Sequence, residues 1–567
     1  LAEITMSLLA RARMRDPARG YATDFVTGVM ARILPALDRQ RVKVVSNAGG
    51  VNPAACAAAI EALIAEAGAN LRVAVVSGDD LSDRADDLRA AGVAELSSGA
   101  PLPGDVASIN AYLGATPIAR ALDAGADIVI TGRCVDSALT LGPLIHEFGW
   151  AVDDFDRLSA GSLAGHLIEC GAQVTGGNFT DWEAVPDWHN MGFPIAECRA
   201  DGSFTITKPE DTGGLVSVAT VAEQLLYEIG DPGAYLLPDV TCDWTGVVLK
   251  QDGANRVRVS GAAGRPPPAR YKACATYPDG WRAVTAFMVG GIDAAAKGRR
   301  TAEAILKRTR RLFVDRNLAD YREASVEILG AEATYGPHAR VAAPREVMVK
   351  IGVRHDSREA LEIFAREIAP AALSMAPGIT GFYAGRPSVQ PAVRLFSFLI
   401  GKDQAPADVT IDGETIAVPI AALPEPAPAP VHQPPLPART ADDMAEVPLI
   451  ALARARSGDK GNSANIGVIA RDPEYLPWIA AALTGEAIAG WFAHLAAGPI
   501  TRFYLPGIAA LNFLIENALG GGGIASVRID PQGKAFAQML LDMPVPVPGA
   551  LAARLPSPAG AVRSTAA

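Results

Sequence analysis

The sequence predicts an α/β protein: a body built on a mainly parallel, Rossmann-like sheet, followed by a smaller α+β unit. Three observations carry this. Short apolar runs, "VKVVS" (42–46), "LRVAVVS" (71–77) and "DIVITG" (127–132), are each followed by a glycine- or aspartate-rich loop and a helical stretch. Buried strands alternating with helices are the mark of a parallel sheet, and the first two runs are spaced like one strand–helix–strand unit. A Pro/Ala-rich run, "PEPAPAPVHQPPLPART" (424–440), cannot build a core and sets off a compact C-terminal stretch.

A chain of 567 residues exceeds one ordinary core, so two to four domains are expected. The boundaries read as a body over 1–423 with an internal division between 200 and 300, a linker over 424–446, the second unit over 447–547 and a disordered tail over 548–567. Within the body, an alanine-rich helix follows residue 54, and residues 160–215 become loop-rich and aromatic. Amphipathic helices read over 301–314 and 357–374, and "DVTIDGETIAVPI" (408–420) is a hairpin pattern around Asp-Gly.

The net charge of −11 argues against a nucleic-acid partner, which selects a basic face. Six cysteines without a CxxC pair form neither a disulfide framework nor a zinc spacing, so reduced thiols in the cytoplasm are expected and no metal site is assigned. No apolar run reaches the roughly 18 residues that span a membrane.

In parallel sheets ligands bind at the carboxyl ends of the strands, and "SNAGGVN", "SGDD" and "TGRCVD" fall there. Asn47, Gly49, Gly50 and Asn52 form either an anion-accepting turn at a helix N-terminus or a plain strand–helix turn. Arg133 suits a carboxylate or phosphate, and Asp136 either orients it, takes a proton or caps the next helix. In "TGGNFTDWEAVPDWHNMGFP", Gly176 and Gly177 allow close backbone approach, while Asp181 and His189 are candidates for acid–base work. The competing reading is a packed loop whose Trp182 and Trp188 fill an apolar seam. Lys208 with Gly213 and Gly214 resembles a phosphate-accepting helix entry, or a simple turn. In "RSGDKGNSANIG" (456–467), Arg456, Asp459 and Lys460 make a candidate anion clamp, with a domain-docking charge cluster as the rival. A single cleft would bring Asn47, Arg133, Gly176 and Asp181 together.

The stretches "LAEITMSLLARAR", "SNAGGVNP", "GADIVITGRCVDSALTLGPLIHEFGW", "TGGNFTDW", "VPDWHNMGFPI", "TKPEDTGGLVSVATVAEQLLYEIGDP", "ARSGDKGNSANIGVIAR" and "ALGGGG" together resemble the acyclic terpene utilisation (AtuA-type) family. The resemblance covers nearly the whole chain. It implies an α/β N-terminal domain, a ferredoxin-like C-terminal domain and a place in the bacterial breakdown of citronellol- and geraniol-like acids as CoA thioesters. Such families open with a strand and glycine-rich turn before "LAE", so a preceding segment is expected. The resemblance carries over no catalytic residues. The expected function is therefore an enzyme of branched acyl-CoA catabolism, performing hydration, dehydration or carbon–carbon cleavage beside a thioester. It would require no cofactor and would take a branched acid or acyl-CoA as its small-molecule partner. A homo-oligomer, or a carboxylase or other acyl-CoA enzyme as partner, fits the same expectation. The alternative is a non-catalytic ligand-binding or assembly subunit.

Overall fold

A computed structural model describes residues 3–382, 385–421, 432–436, 443–496, 498–523 and 525–555. Most of the expected linker and the tail from 556 lie outside the described residues.

The three apolar runs do form adjacent parallel strands, Val44–Ser46, Ile128–Thr131 and Val73–Ser77, with Ile128–Thr131 in the middle and fully buried. The turn after the first leads into the helix Pro53–Ala67, which is capped by Asn52, begins at proline and ends at Gly68 (φ 62°). The Asp-Gly hairpin also forms, as Asp408–Ile411 and Glu414–Ala417, with Asp412 and Gly413 both at positive φ. Its first strand pairs antiparallel with Val73–Ser77, making the sheet five-stranded and mixed.

Among the described residues no other strands of the body pair in parallel, apart from single bridges at Leu113–Cys134 and Met191–Gly213, which corrects the expectation of a mainly parallel body. The largest sheet is antiparallel and is organised on one long strand, Arg270–Gly290, that pairs with Glu346–His355 and Gln390–Gly401. Ser108–Ala111 pairs with Ala273–Thr276 and so ties the parallel region to this sheet. Ala283, Phe287 and Val289 alternate onto one face and are buried in a core that includes Ala302 and Ile305 of Ala294–Val314 and Leu361 and Phe364 of Arg358–Ile368. A short apolar run looks alike in either ladder, so the sequence pattern could locate these strands without giving their direction.

The C-terminal unit is a four-stranded antiparallel sheet, ordered Ala453–Lys460, Ser463–Ala470, Ala510–Ile515 and Ile500–Leu505, with helices Leu476–Ala482 and Gly485–Trp491. Its limits are wider than the sequence suggests. Met444–Pro448 pairs with Pro544–Pro548, and the helical turn Gly549–Ala552 buries Leu551 where a tail was expected. The unit is not loosely tethered: its Ile469, Leu505 and Ala510 belong to the same buried cluster as Trp244, Leu226 and Val247 of the body.

Candidate functional site

The strand Val73–Ser77 ends in Gly78 (φ 107°) and delivers Asp79 into the interior, 3% exposed. Its carboxylate accepts hydrogen bonds from Asn110 Nδ2 at 2.8 Å and from the Arg133 backbone N–H at 2.7 Å. Gly132 makes this approach possible, because a Cβ there would lie 2.2 Å from Asp79 Oδ1. Burial pushes the Asp79 carboxyl up to about 6 despite the two hydrogen bonds, which favour the charged form.

Arg133, 5% exposed, comes from the end of Ile128–Thr131. Its Nη1 donates to the Cys134 carbonyl at 2.6 Å and to Asp136 Oδ1 at 3.0 Å. The guanidinium stands 4.1 Å from the centre of the Tyr112 ring, and Lys272 Nζ stands 4.8 Å from the same ring. Asn110, Tyr112, Arg133, Cys274 and Thr276 line a small cavity that Met6 closes from the N-terminal helix Glu3–Arg15. An adjoining cleft of about 260 Å³ has Asp79, Asp80, Gly50, Asn52 and Arg13 in its wall. Arg13, on the same helix, donates to the Val51 carbonyl at 2.5 Å and lies 3.4 Å from Asp80, so the helix lies across the strand ends. A buried carboxyl pushed up to about 6, held by the backbone N–H of a residue whose own guanidinium is also buried, is an arrangement suited to proton transfer.

Of the residues expected from sequence, Arg133 and Asp136 belong here, with Asp136 orienting the arginine. Asn47 is buried at the first strand end, where its carbonyl accepts from Gly50 N–H at 3.2 Å. Gly49 packs so closely on Thr131 and Pro53 that a Cβ would lie 2.5 Å from the Thr131 carbonyl. Asn52 caps its helix and donates to the Pro17 and Arg19 carbonyls, a structural role. Sequence reasoning did not single out Asp79, Asn110, Tyr112 or Lys272. The "SGDD" cluster marked the strand end that holds Asp79, whereas "INAY" gave no turn signal.

The glycine-rich loop serves the junction between the two units. Asp181 accepts from Arg454 Nε at 2.6 Å and from both Arg471 nitrogens at 2.9 and 2.6 Å. Burial would raise its carboxyl, but the two arginines outweigh that and hold it below the usual range. Arg456, 6% exposed, donates to the carbonyls of Gly177 and Asn178 and to Gln173, over the face of Tyr227. Asp459 pairs with Lys534 at 3.1 Å, and Lys460 Nζ lies 5.8 Å from the Tyr235 ring. "RSGDK" is therefore strand and not loop, turning only at Gly461, and the docking reading of Arg456 replaces the anion clamp. Asn465 and Asn512, both fully buried, complete the docking by donating to the carbonyls of Leu226, Ile229 and Gly230.

Gly177 and Asp181 thus find their partners at the junction, Gly176 packs against Val185 and Leu215 within the body, and Asn47 and Arg133 sit at the parallel strand ends. His189 is exposed, and Trp182 and Trp188 stack edge to face at 5.8 Å while more than half exposed, so they fill no seam. Lys208 Nζ donates to the Thr212 carbonyl at 2.5 Å, and Gly213 and Gly214 bond to the Asn190 and Pro186 carbonyls. The following helix, Val218–Leu226, is capped by Ser217 and Thr220, which leaves the glycine pair as a turn.

Among the described residues, no three His, Cys, Asp or Glu side chains gather to hold a metal ion, and no helix is long and apolar enough to cross a membrane. No curated protein and no solved structure matches the chain. Two family models do: the acyclic terpene utilisation family protein AtuA over residues 1–411, and the AtuA ferredoxin-like domain over residues 447–546. The first model alone spans most of the sequence, and the chain belongs to the acyclic terpene utilisation family AtuA.

Proposed function

We propose that the chain is an enzyme of branched, terpenoid acyl-thioester catabolism whose chemistry is centred on Asp79 and Arg133. The observation that carries this reading is the buried Asp79 carboxyl, poised at about 6 and held by Asn110 and the Arg133 N–H. Hydration, dehydration and carbon–carbon cleavage beside a thioester all need a proton moved at carbon while charge builds on the thioester oxygen. Asp79 supplies the proton acceptor or donor, Arg133 faces the developing charge, and Asp136 fixes the guanidinium at 3.0 Å. This chemistry calls for no resident cofactor and suits a cytoplasmic enzyme. Incubating the protein with branched enoyl-CoA and 3-hydroxyacyl-CoA esters, followed by mass spectrometry, tests it. Turnover lost in Asp79→Asn supports the reading; absence of both turnover and thioester binding in the wild type overturns it.

The second reading, an assembly or ligand-binding subunit for a partner acyl-CoA enzyme, is favoured by Trp182, Trp188 and Phe193, which are 55%, 59% and 68% exposed. Exposed aromatics gathered on one loop are a feature of interaction surfaces. Sedimentation of wild type and Trp188→Ser with and without a branched-chain acyl-CoA carboxylase separates the two readings.

A further inference from the structure

Positive charge in this acidic chain is concentrated on the helix Ala294–Val314. Residues 297–311 hold seven Lys or Arg and one acid, Glu303, against a net charge of −11 for the whole chain. One side of the helix, with Ala302, Ile305 and Leu306, is buried in the core of the antiparallel sheet. The helical period turns Arg300, Lys307 and Arg311 together to the opposite side, with Arg299 on its flank, and all four are exposed.

Two further cations of the helix are paired, Arg308 with Glu367 and Arg310 with Asp320 at 2.9 Å. Among the described residues, the side chains of Arg299, Arg300, Lys307 and Arg311 make no ion pair or hydrogen bond. Glu303, also exposed, stands among them, so four cations share the face with one carboxylate. Lys307 and Arg311, one turn apart, repel each other. The row runs for about 18 Å along the helix. Large apolar side chains bracket it: Ile292, just before the helix, is 81% exposed, and Val314, at its end, 74%.

A helix laid on the outside of a sheet is a convex ridge. Its exposed face presents no aromatic side chain of the kind that anchors a protein partner, and the clefts of the molecule lie around Asp79 and Arg133 instead. A soluble polyanion would engage the cations and gain nothing from Ile292 and Val314. A phospholipid surface engages both, because headgroup phosphates meet the cations while the aliphatic side chains reach the acyl boundary. The long stems of arginine and lysine let their charged ends stay at headgroup level.

We propose that this face docks the protein on an anionic phospholipid surface, with the helix lying along the plane of the surface and not crossing it. Asp79 and Arg133 take no part in the docking, which goes beyond the proposed reaction.

Cosedimentation of the full chain with vesicles of phosphatidylcholine, and of phosphatidylcholine mixed with an equal part of phosphatidylglycerol, tests this. The wild type should pellet with the anionic vesicles alone, and less so as salt is added. Partition should fall about tenfold or more in the double variant Arg300→Glu/Lys307→Glu. It should also fall in Ile292→Ser/Val314→Ser, which keeps the charge, while heparin, a soluble polyanion, should bind this second variant and the wild type alike. Melting curves check the fold, and Arg300→Gln/Lys307→Gln repeats the charge test if the Glu variant melts early. A wild type that stays in the supernatant, or pellets equally with phosphatidylcholine vesicles, overturns the membrane surface, as does either double variant pelleting like the wild type. Heparin binding without vesicle binding also overturns it, and assigns the cations to a soluble acidic partner. Thioester turnover persisting in those cases would leave the proposed reaction standing.

Discussion

Arg456 of the C-terminal unit and Glu223 of the body face each other at 4.0 Å across the junction, with side chains only 7% and 1% exposed. Glu223 Oε1 accepts from the Thr180 N–H at 3.1 Å, while Oε2 has no hydrogen bond. Arg456 spends its donors on the Gly177, Asn178 and Gln173 oxygens. The arginine is therefore a pin between the units, and the acid beside it is incompletely compensated.

Arg456→Ala is expected to lower stability by roughly 1–3 kcal/mol, the scale for leaving buried acceptors, here the Gly177 and Asn178 carbonyls, without their donor. Differential scanning calorimetry checks the loss. Binding of thioesters at the Asp79 site should be little changed, since Arg456 does not line it. A variant that melts like wild type but loses ligand affinity would restore the anion clamp.

Stability should also depend on pH through Glu223. Burial pushes its carboxyl up to about 7 from an ordinary value of 4.5, with Arg456 opposing and Asp181 adding to the rise. The folded state thus holds a proton that the unfolded state releases between these values, so this group's contribution weakens as pH rises from about 4.5 through 7. Glu223→Gln keeps the Thr180 bond and cannot ionise. The melting temperature of the variant should therefore gain on that of the wild type from pH 5 to pH 8, and parallel curves would refute the assignment.

Two glycines set how closely the units approach. A Cβ at Gly458 would lie 2.5 Å from Glu228 Cγ, and one at Gly467 would lie 2.4 Å from Leu226 Cβ. Gly458→Ala and Gly467→Ala should each destabilise by about 1–3 kcal/mol, the range for overpacking. Denaturant titration reads this directly, with no loss expected from Gly461→Ala on packing grounds, since open space surrounds that position. Its φ of 64° does add backbone strain, so a small loss of about 1 kcal/mol marks the difference between strain and collision.

For the proposed reaction, Asp79→Asn should lower kcat by about 10²–10⁴-fold, the usual contribution of a positioned acid or base. If Asp79 acts as the base, the wild-type kcat/KM should rise with pH through about 6, where this carboxyl ionises, and the variant should lose that limb. Steady-state kinetics between pH 4.5 and 8.5 decides the point.

Much of this architecture was legible in the sequence, for local reasons. Val44–Ser46, Val73–Ser77 and Ile128–Thr131 announce themselves as apolar runs closed by turn residues, and the Asp412–Gly413 hairpin follows from its dipeptide. Arg133 was legible because it stands at a strand end. Asp79 was only half legible: its place was marked, but its burial depends on Asn110 and on Gly132, residues distant along the chain. The charges of "RSGDKG" misled because polarity in a glycine-rich stretch reads as an exposed turn. Here Arg456 spends its donors on carbonyls of the body while Ser457 and Asp459 turn to Gly533 and Lys534, and no pattern within twelve residues can report a partner some 240 positions away, as Asn465 finds in Leu226 and Glu228.

The hairpin strand Asp408–Ile411 has a consequence for synthesis. It covers the edge of Val73–Ser77, yet it leaves the ribosome roughly 330 residues later. At elongation speeds of about 5–20 residues per second, that edge stays bare for roughly 20 to 60 s in every nascent chain. An uncovered strand of this composition recruits other strands, so production of the protein should be limited by aggregation of the growing polypeptide, and by the supply of chaperones that shield it, well before the finished molecule's own stability matters.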